Sequence, residues 1–298
     1  MTQPMTDQDW LADRFETYRP HLRGVAYRML GSLSEADDAV QEAWIRLSRT
    51  DTSDVENLRA WLTTVVGRVC LNQLRSRRTR REAPLDEHVP DPIVGPESGM
   101  DPEHEALLGD SIGLALLAVL ETLSPAERVA FVLHDVFAVP FDDIAPIVGR
   151  STDATRQLAS RGRRRVQGAP VPDTDLEGQW AVVDAFLAAS RDGDFERLLA
   201  VLDPEVVLRA DGGTERPRLG QLVRGRESVA TNAMVFRNLA ATATRTLVNG
   251  QPGGVVWAPD GRPFAVLSFT VAKARIVSIE VLADPERLAR LDLQRAGR

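Results

Sequence analysis

The chain has 298 residues, of which 43% are hydrophobic and 27% charged, as is typical of a soluble globular protein with two or three domains. Its formal net charge of −7 argues against a protein that binds nucleic acid through overall positive charge. No apolar run approaches the roughly 20 residues of a membrane-spanning helix, the N-terminus does not resemble a signal peptide, and Cys70 is the single cysteine. These features predict a cytoplasmic protein that has no disulfide and no membrane partner.

Residues 10–82 have the spacing of apolar residues that is typical of amphipathic helices. One stripe consists of Val40, Ala43, Trp44 and Leu47. Ser34 is predicted to cap the N-terminus of this helix, because its hydroxyl can accept a hydrogen bond from a free backbone N–H. The other side of the helix carries Asp37, Asp38, Gln41 and Glu42. On the residues alone, this acidic face is most often an ordinary solvent-exposed surface.

A second helix is predicted after residue 57. Its apolar stripe consists of Leu62, Val65, Val66 and Val69, and its polar side carries Thr64, Arg68, Asn72 and Arg75. The polar side leads into a first arginine cluster made of Arg75, Arg77, Arg78, Arg80 and Arg81. A guanidinium group is always charged and matches the geometry of phosphate oxygens, so the cluster indicates either DNA binding or a solvated helix end.

The acidity of the chain is concentrated in one stretch. Residues 84–110 contain eight acidic residues and neither lysine nor arginine, and five of residues 83–103 are proline. This composition predicts an extended linker that is not a packed element.

Residues 104–166 are again predicted to be helical. Ser124 and Pro125 are typical of a capped helix start with proline at its first position. Further along, Gly149 separates two short amphipathic segments, and Ser151 can cap the second of them. Two helices joined through a glycine turn are typical of a helix-turn-helix, although a tight helical hairpin with a basic end has the same pattern.

The second of these segments predicts a DNA-facing surface. Its groove-facing side would consist of Thr152, Asp153, Arg156, Gln157 and Ser160. Arginine and glutamine make bidentate pairs with base edges in the major groove. A second arginine cluster follows, predicted to lie along phosphates: Arg161, Arg163, Arg164 and Arg165. Because the two arginine clusters lie on separate helices, the sequence predicts a protein that holds DNA at two places.

The pattern changes after residue 168. Helices are predicted at 180–191 and 226–239. Strands separated by turn signals such as Asn249-Gly250 are predicted at 206–209, 242–248, 254–258, 264–272 and 275–282. Residues 169–298 are therefore predicted to form an α+β domain whose strands make an antiparallel meander.

Together, the helical segments resemble the extracytoplasmic-function group of bacterial sigma factors, which belong to the sigma-70 family. Residues 19–49 resemble the start of region two, and residues 57–82 resemble the helix that meets the downstream promoter element. Residues 123–166 resemble region four, which reads the upstream element. The resemblance implies a transcription initiation factor whose partners are core RNA polymerase and promoter DNA.

The resemblance also implies roles for individual residues. The residues implied to bind the β′ clamp helices of polymerase are Asp37, Asp38, Gln41, Glu42 and Trp44. The residues implied to hold the downstream element, with the loop after Leu47, are Thr64, Arg68, Asn72, Arg75, Arg77 and Arg78. The residues implied to bind the upstream element are Thr152, Asp153, Arg156, Gln157, Ser160, Arg161 and Arg164. The acidic linker is expected to run through the polymerase cleft, and the β flap is a further expected partner.

The last part of the chain resembles a SnoaL-like domain, a conical α+β fold that one subgroup of these sigma factors carries after region four. Degraded forms of that subgroup's motifs are found at 89–93, 211–215 and 283–288, and Glu215 reverses the charge of the usual lysine. The residues implied to be regulatory are Asp211, Gly212, Gly213, Asp284 and Pro285. A domain that regulates in cis is not expected to require a separate anti-sigma factor.

The sequence therefore predicts a multidomain protein. Two all-α sigma domains, the region two bundle (1–82) and the region four helix-turn-helix (104–168), are joined by the acidic Pro-rich linker (83–103). They are followed by an α+β SnoaL-like cone with a curved antiparallel sheet (169–298).

Two alternatives remain open. One is a one-component helix-turn-helix repressor with a ligand-binding C-terminal domain, and the other is a C-terminal domain with cyclase or isomerase activity. Residues 169–298 contain no His, Cys or Tyr, so only acids such as Asp211 remain as proton carriers. We therefore expect no enzymatic activity, no cofactor and no metal site.

Overall fold

The computed structural model describes residues 7–50, 55, 57–80, 88–97, 113–169, 171–240 and 242–293. The chain forms two compact units. Of the described residues, the helical unit contains those within 7–80 and 119–168. The α+β unit contains those within 88–97, 113–118 and 169–293. None of the described helices is long and apolar enough to cross a membrane.

Seven helices occur in the first 168 residues, counting only the described part of the chain. They are α1 (Asp7–Leu30), α2 (Leu33–Leu47), α3 (Leu58–Arg80), α4 (Leu114–Glu121), α5 (Pro125–Phe131), α6 (Phe141–Val148) and α7 (Thr152–Val166). The π-helical turn Val132–Val136 continues α5, and the division between the two units falls within α4.

Helices α1 to α3 bury the stripes that the sequence predicts. Val40, Ala43 and Leu47 on α2 are buried, as are the apolar residues of the α3 stripe. Trp44 differs, because it is only half-buried and its ring packs on that of Phe15 with 5.1 Å between centroids.

The prediction that Ser34 caps α2 is wrong. The helix begins at Leu33, and the side chain of Ser32 accepts the hydrogen bond from the backbone N–H of Glu35. Gly31 has a φ of 70°, which ends α1 and leaves Ser32 in the extended conformation that an N-cap requires.

The helix-turn-helix is confirmed. Ser124 and Glu127 form a capping box at the start of α5, and Ser151 caps α7. Gly149, with a φ of 68°, provides the turn between α6 and α7. Gly162 allows α7 to cross α5 closely, since a Cβ there would lie 2.9 Å from the Cβ of Phe131.

The α+β unit contains the remaining elements. They are β1 (Val94–Gly95), α8 (Leu176–Asp192), α9 (Phe195–Val201), β2 (Leu202–Asp211), a 3-10 turn (Pro217–Leu219), β3 (Gln221–Arg224), α10 (Arg226–Val235), α11 (Arg237–Ala240), β4 (Ala243–Val248), β5 (Gln251–Trp257), β6 (Pro263–Ala272), β7 (Arg275–Leu282) and α12 (Pro285–Leu288).

These strands form one sheet in the order β1-β4-β5-β6-β7-β2-β3. Strands β4 to β7 make the predicted meander, and Asn249 and Gly250 both have positive φ in the first hairpin. The prediction of a purely antiparallel sheet is wrong, because β2 pairs in parallel with β7. After β2, the chain passes through β3, α10 and α11 before the meander begins at β4. The last strand of the meander, β7, then lies beside β2 and runs in the same direction.

A hydrophobic core lies between the helices of this unit and the sheet. Trp180, Val183 and Phe186 of α8 are buried in it. The ring of Phe186 meets that of Phe269 on β6 edge to face at 5.5 Å. The unit therefore has the helix-on-sheet α+β architecture that the SnoaL-like resemblance implies.

Candidate polymerase-binding, DNA-binding and regulatory surfaces

The acidic face of α2, defined by Asp37, Asp38, Gln41 and Glu42, lies on one side of the helix. Glu42 is half-buried and the other three side chains are exposed. Arg23 holds Asp37 through two hydrogen bonds of 2.6 and 3.2 Å. Trp44 packs on Phe15 beside this face, so much of its surface is used inside the bundle.

The predicted downstream-element residues lie on one polar stripe of α3. Arg68, Asn72, Arg75 and Arg78 are exposed, and Thr64 at the start of the stripe is half-buried. Their spacing of three or four residues places them on the same face of the helix. Residues 51–54 and 56 of the preceding loop, Arg81 and the side chain of Arg80 lie outside what the structure describes.

Arg77 is placed differently from its neighbours in the first arginine cluster. Its guanidinium pairs with Glu35 and donates a hydrogen bond of 2.9 Å to the carbonyl of Leu30. Arg77 therefore joins α3 to the start of α2, and this half-buried side chain serves the bundle itself.

Helix α3 also packs against the helix-turn-helix. Gly67 lies under Leu133 and Ile147, whose methyl carbons would be 3.1 and 3.5 Å from a Cβ at that position. Arg75 reaches the carbonyl of Val148 at 3.5 Å. The two predicted DNA-binding helices are thus held in one compact helical unit.

The recognition face of α7, defined by Asp153, Arg156, Gln157, Ser160 and Arg164, is exposed along the whole helix. Arg156 pairs with Asp153 at 2.7 Å. Of the remaining predicted residues, Thr152 is half-buried and its hydroxyl donates to Asp142 at 2.8 Å.

Two arginines predicted to lie along phosphates instead have acidic partners within the helical unit. Arg161 pairs with Glu127 at 2.8 Å, and Arg163 pairs with Asp135. Burial acts to raise the pKa of Glu127, but its hydrogen bonds to Arg161 and Ser124 outweigh burial and lower the pKa. Because α5 places these carboxylates beside α7, Arg161 and Arg163 are partly neutralised, whereas Arg164 remains on the exposed face.

The prediction that the linker is not packed is wrong for residues 88–97. Strand β1 adds to the edge of the sheet beside β4, with Val94 opposite Val248. The backbone and side chain of Asn249 make two hydrogen bonds to Ile93, of 2.8 and 2.9 Å. Because Val89, Ile93 and Val94 are buried, apolar side chains reinforce the backbone pairing that holds this segment. The other predicted linker residues, 83–87 and 98–103, lie outside the described chain.

A network of charges, called here the linker anchor, holds the start of this segment and consists of His88, Val89, Asp91, Asp211 and Arg287. Arg287 donates to Asp91 at 2.8 Å, to Asp211 at 2.8 Å and to the carbonyl of Val89. Asp211 also accepts from the backbone N–H of Val89 at 3.2 Å and lies 3.0 Å from the His88 ring.

Burial would raise the pKa of Asp211, but the hydrogen bond from His88 and the charge of Arg287 outweigh it and bring the pKa to about 2. Asp211 is therefore ionised near neutral pH and unsuited to donate a proton.

The other predicted regulatory residues shape the ends of the strands around the anchor. Gly212 and Gly213 leave no room for a side chain, since a Cβ would lie 2.1 Å from the Arg216 carbonyl or 2.3 Å from Asp284 respectively. Asp284 caps α12, whose first residue is Pro285 and whose third is Arg287. The structure thus brings all five predicted regulatory residues together.

The remaining members of the anchor were not predicted from the sequence. Arg287 and Asp91 lie within the motif-like stretches 283–288 and 89–93, so the motifs pointed to them. Their pairing joins positions 196 residues apart, however, and no local pattern carries that information.

Comparisons with known proteins agree with this arrangement. Residues 14–80 match the model of "Sigma-70 region 2", and residues 113–166 match that of "Sigma-70, region 4". The chain is 36% identical to a probable ECF RNA polymerase sigma factor, SigI of Mycobacterium tuberculosis, over 98% of this chain and all of that protein. It is 37% identical to ECF RNA polymerase sigma factor SigJ of the same organism, over 92% of this chain and 91% of that protein. The crystal structure of SigJ is similar with a TM-score of 0.77 and 32% identity, over 95% of this chain and 99% of that one.

Proposed function

Since this chain belongs to the extracytoplasmic-function sigma factors, which direct RNA polymerase to promoters, we propose that its helical unit binds polymerase and two promoter elements while its α+β unit restrains the linker. The linker anchor is the observation that supports the proposed restraint of the linker by the α+β unit. The protein would act in the cytoplasm, and the proposal requires no separate anti-sigma factor.

The acidic face of α2 is proposed to bind the β′ clamp helices. Asp38 and Gln41 are exposed there, whereas Asp37 is already held by Arg23. Exposed carboxylates favour fast association with a basic partner, because complementary charge steers the encounter. Trp44 would support the face from within the bundle.

The polar stripe of α3 is proposed to hold the downstream element and the recognition face of α7 to read the upstream element. Arg156 and Gln157 have the donors that recognise guanine and adenine edges, and Arg164 would contact phosphate. Both helices belong to one compact unit. If the two promoter elements are further apart than α3 and α7 are in this unit, we expect the packing of α6 on α3 to open when both elements are bound.

Regulation is proposed to act through the linker. If the linker must enter the polymerase cleft, as the family resemblance implies, then residues 88–97 must leave the sheet edge and the linker anchor. Their departure would break the pairing of Arg287 with Asp91 and expose apolar side chains that are buried against the sheet, such as that of Ile93, so polymerase binding would have to offset that cost. The α+β unit would thereby act as an internal restraint on initiation.

Run-off transcription with purified core polymerase tests both parts. We expect the full chain to direct specific transcripts from the promoter of its own gene or from a genomic library. An Arg287→Ala variant should give more transcript than the parent, and Arg290→Ala, an exposed arginine three residues later, should not. Absence of any specific transcript with all three proteins would contradict the initiation reading. Specific transcripts with unchanged yield for Arg287→Ala would contradict only the restraint.

A further inference from the structure

The α+β unit contains a cavity of about 110 Å³ between α8, α10 and the sheet. It is bounded by Phe186, Leu208, Phe236, Phe264, Leu267 and Ile279, among other apolar residues. None of its lining residues is ionisable. An apolar cavity of about 150 Å³ can hold benzene, so a pocket of this size suits a molecule built on one small ring.

The polar side chains that line the cavity indicate which functional group a bound molecule would need. Only Ser190, Gln221 and Asn232 among the lining residues have polar side chains, and the Ser190 hydroxyl already donates to the carbonyl of Ala233. The two amides can both donate and accept a hydrogen bond. An ion would lose its hydration without finding a charged partner, whereas a neutral molecule with one hydroxyl or carbonyl would not.

The wall of this pocket is continuous with the linker anchor. Ala210 lines the pocket, and the next residue, Asp211, belongs to the anchor. Ala283 also lines it, and its N–H donates to the carbonyl of Asp211 at 2.7 Å.

Arg216 reinforces the same wall. Its guanidinium lies 4.6 Å from the centre of the Phe264 ring and donates to the carbonyls of Phe264 and Ala283 at 3.0 and 3.1 Å. A molecule in the pocket therefore contacts the strand ends that position Asp211 and Asp284.

We propose that this pocket binds a small neutral molecule, with an apolar body about the size of one substituted ring and one hydrogen-bonding group, and that its occupation stabilises the linker anchor. The binding site stands independently of the transcription activity. Only the significance of the coupling rests on the proposed function.

The test of binding uses the full chain without polymerase and follows titration by protein-observed NMR. The probe is 4-ethylphenol, and the matched charged probe is 4-ethylbenzoate. We expect saturable binding of 4-ethylphenol and at least tenfold weaker binding of 4-ethylbenzoate. Equal binding of the two probes, or no saturable binding of the phenol up to its solubility limit, would overturn the proposal.

Substitutions in the pocket test whether 4-ethylphenol binds there. Ala233→Phe fills the cavity and should reduce the affinity for 4-ethylphenol at least tenfold. Ser228→Phe makes the same change at an exposed position of α10 and should leave the affinity unchanged. If Ala233→Phe does not fold, as judged by circular dichroism, Ala243→Leu fills the cavity from β4. Unchanged affinity in a folded cavity-filling variant would refute the site.

The amide is tested separately. Asn232→Leu should weaken binding of 4-ethylphenol severalfold but leave binding of ethylbenzene unchanged, because only the phenol uses a hydrogen bond. Equal weakening of both compounds would mean that the residue acts through shape alone and would overturn the stated ligand class.

Hydrogen exchange tests the coupling. Saturating 4-ethylphenol should slow amide exchange in residues 88–95 of the full chain, and should have no such effect in Ala233→Phe. Unchanged exchange despite demonstrated binding would refute the coupling, and this outcome is independent of any transcription result.

Discussion

The two units carry their candidate functional residues in opposite ways. In the helical unit these residues lie on exposed helix faces, spaced three or four positions apart, as on the recognition face of α7. In the α+β unit they are largely buried and are drawn from positions 91, 211 and 287. A surface that binds another molecule keeps its side chains exposed to water until the partner binds. A contact made within the chain has already buried its side chains.

The same contrast applies to energetics. Surface pairs such as Arg156–Asp153 typically contribute about 0–1 kcal/mol, and both of those side chains are more than half exposed. The side chains of Arg287, Asp91 and Asp211 are each 15% exposed or less, so loss of one partner leaves buried charge behind. Substitutions of the buried charges in the linker anchor should therefore change stability, and those on the helix faces should change binding.

Arg287→Ala is the substitution for which we expect the largest loss of stability, and it tests the contrast between the two units. It should destabilise the α+β unit by about 3–5 kcal/mol, because Asp91 and Asp211 would remain buried without their cation. The pKa of Asp211, about 2 in the parent, should rise. Denaturant unfolding and hydrogen exchange in residues 88–95 would measure the loss.

Arg290→Ala is the matched control for that change. Its side chain is 64% exposed and lies 3.9 Å from Glu286, so its removal should change stability by less than about 1 kcal/mol. If both variants had the same stability, the anchor would not be the buried network described above.

Glu280 on β7 is expected to have the next largest effect, which is to make the stability of the fold depend on pH. Burial raises its pKa to about 7, against the lowering effects of its hydrogen bond to Ser278 and of the charge of Arg209 on the neighbouring strand. Between pH 4.5, the ordinary pKa, and pH 7 the folded chain holds a proton that the unfolded chain has lost. Stability should therefore fall as pH rises through this window, by on the order of 3 kcal/mol.

Glu280→Gln should remove this dependence and make the protein more stable than the parent at pH 8. Glu205→Gln, at an exposed position of β2, should leave the pH profile of unfolding unchanged. A parent protein that is as stable at pH 8 as at pH 5 would contradict the prediction.

Arg156→Ala addresses the helical unit. We expect relaxed preference at one position of the upstream element, at a cost of about 1–3 kcal/mol in binding, with folding stability unchanged. Arg164→Ala should instead weaken binding to all sequences alike and reduce its salt dependence. Binding to a panel of single-base variants distinguishes the two outcomes. Uniform weakening by Arg156→Ala would make it a phosphate contact.

Asp38→Ala has the smallest expected effect on stability, within about 0.5 kcal/mol, because the side chain is exposed. It should nevertheless weaken binding to core polymerase. Asp13→Ala removes another exposed carboxylate from the helical unit, outside the acidic face, and should not. If both variants bound polymerase with equal affinity, the acidic face would not be part of the polymerase interface.

The local elements could be predicted from the sequence. Helical periodicity indicated the buried stripes of α2 and α3, and Gly149 and Ser151 indicated the turn and the cap of the helix-turn-helix. These features depend on residues within a few positions of one another, so composition and spacing contain them. The exposed faces followed from the same periodicity, since a residue opposite a buried stripe lies in water.

The tertiary structure alone decided which distant segments pair. Acid and proline content suggested an extended linker, yet residues 88–97 are bound to the sheet edge because β4 leaves that edge unpaired and Arg287 supplies a cation for Asp91. The parallel pairing of β2 with β7 depends likewise on where the chain returns after α11. Such contacts join residues about 70 to 200 positions apart, and only the folded chain determines which opposite charges and strand edges meet.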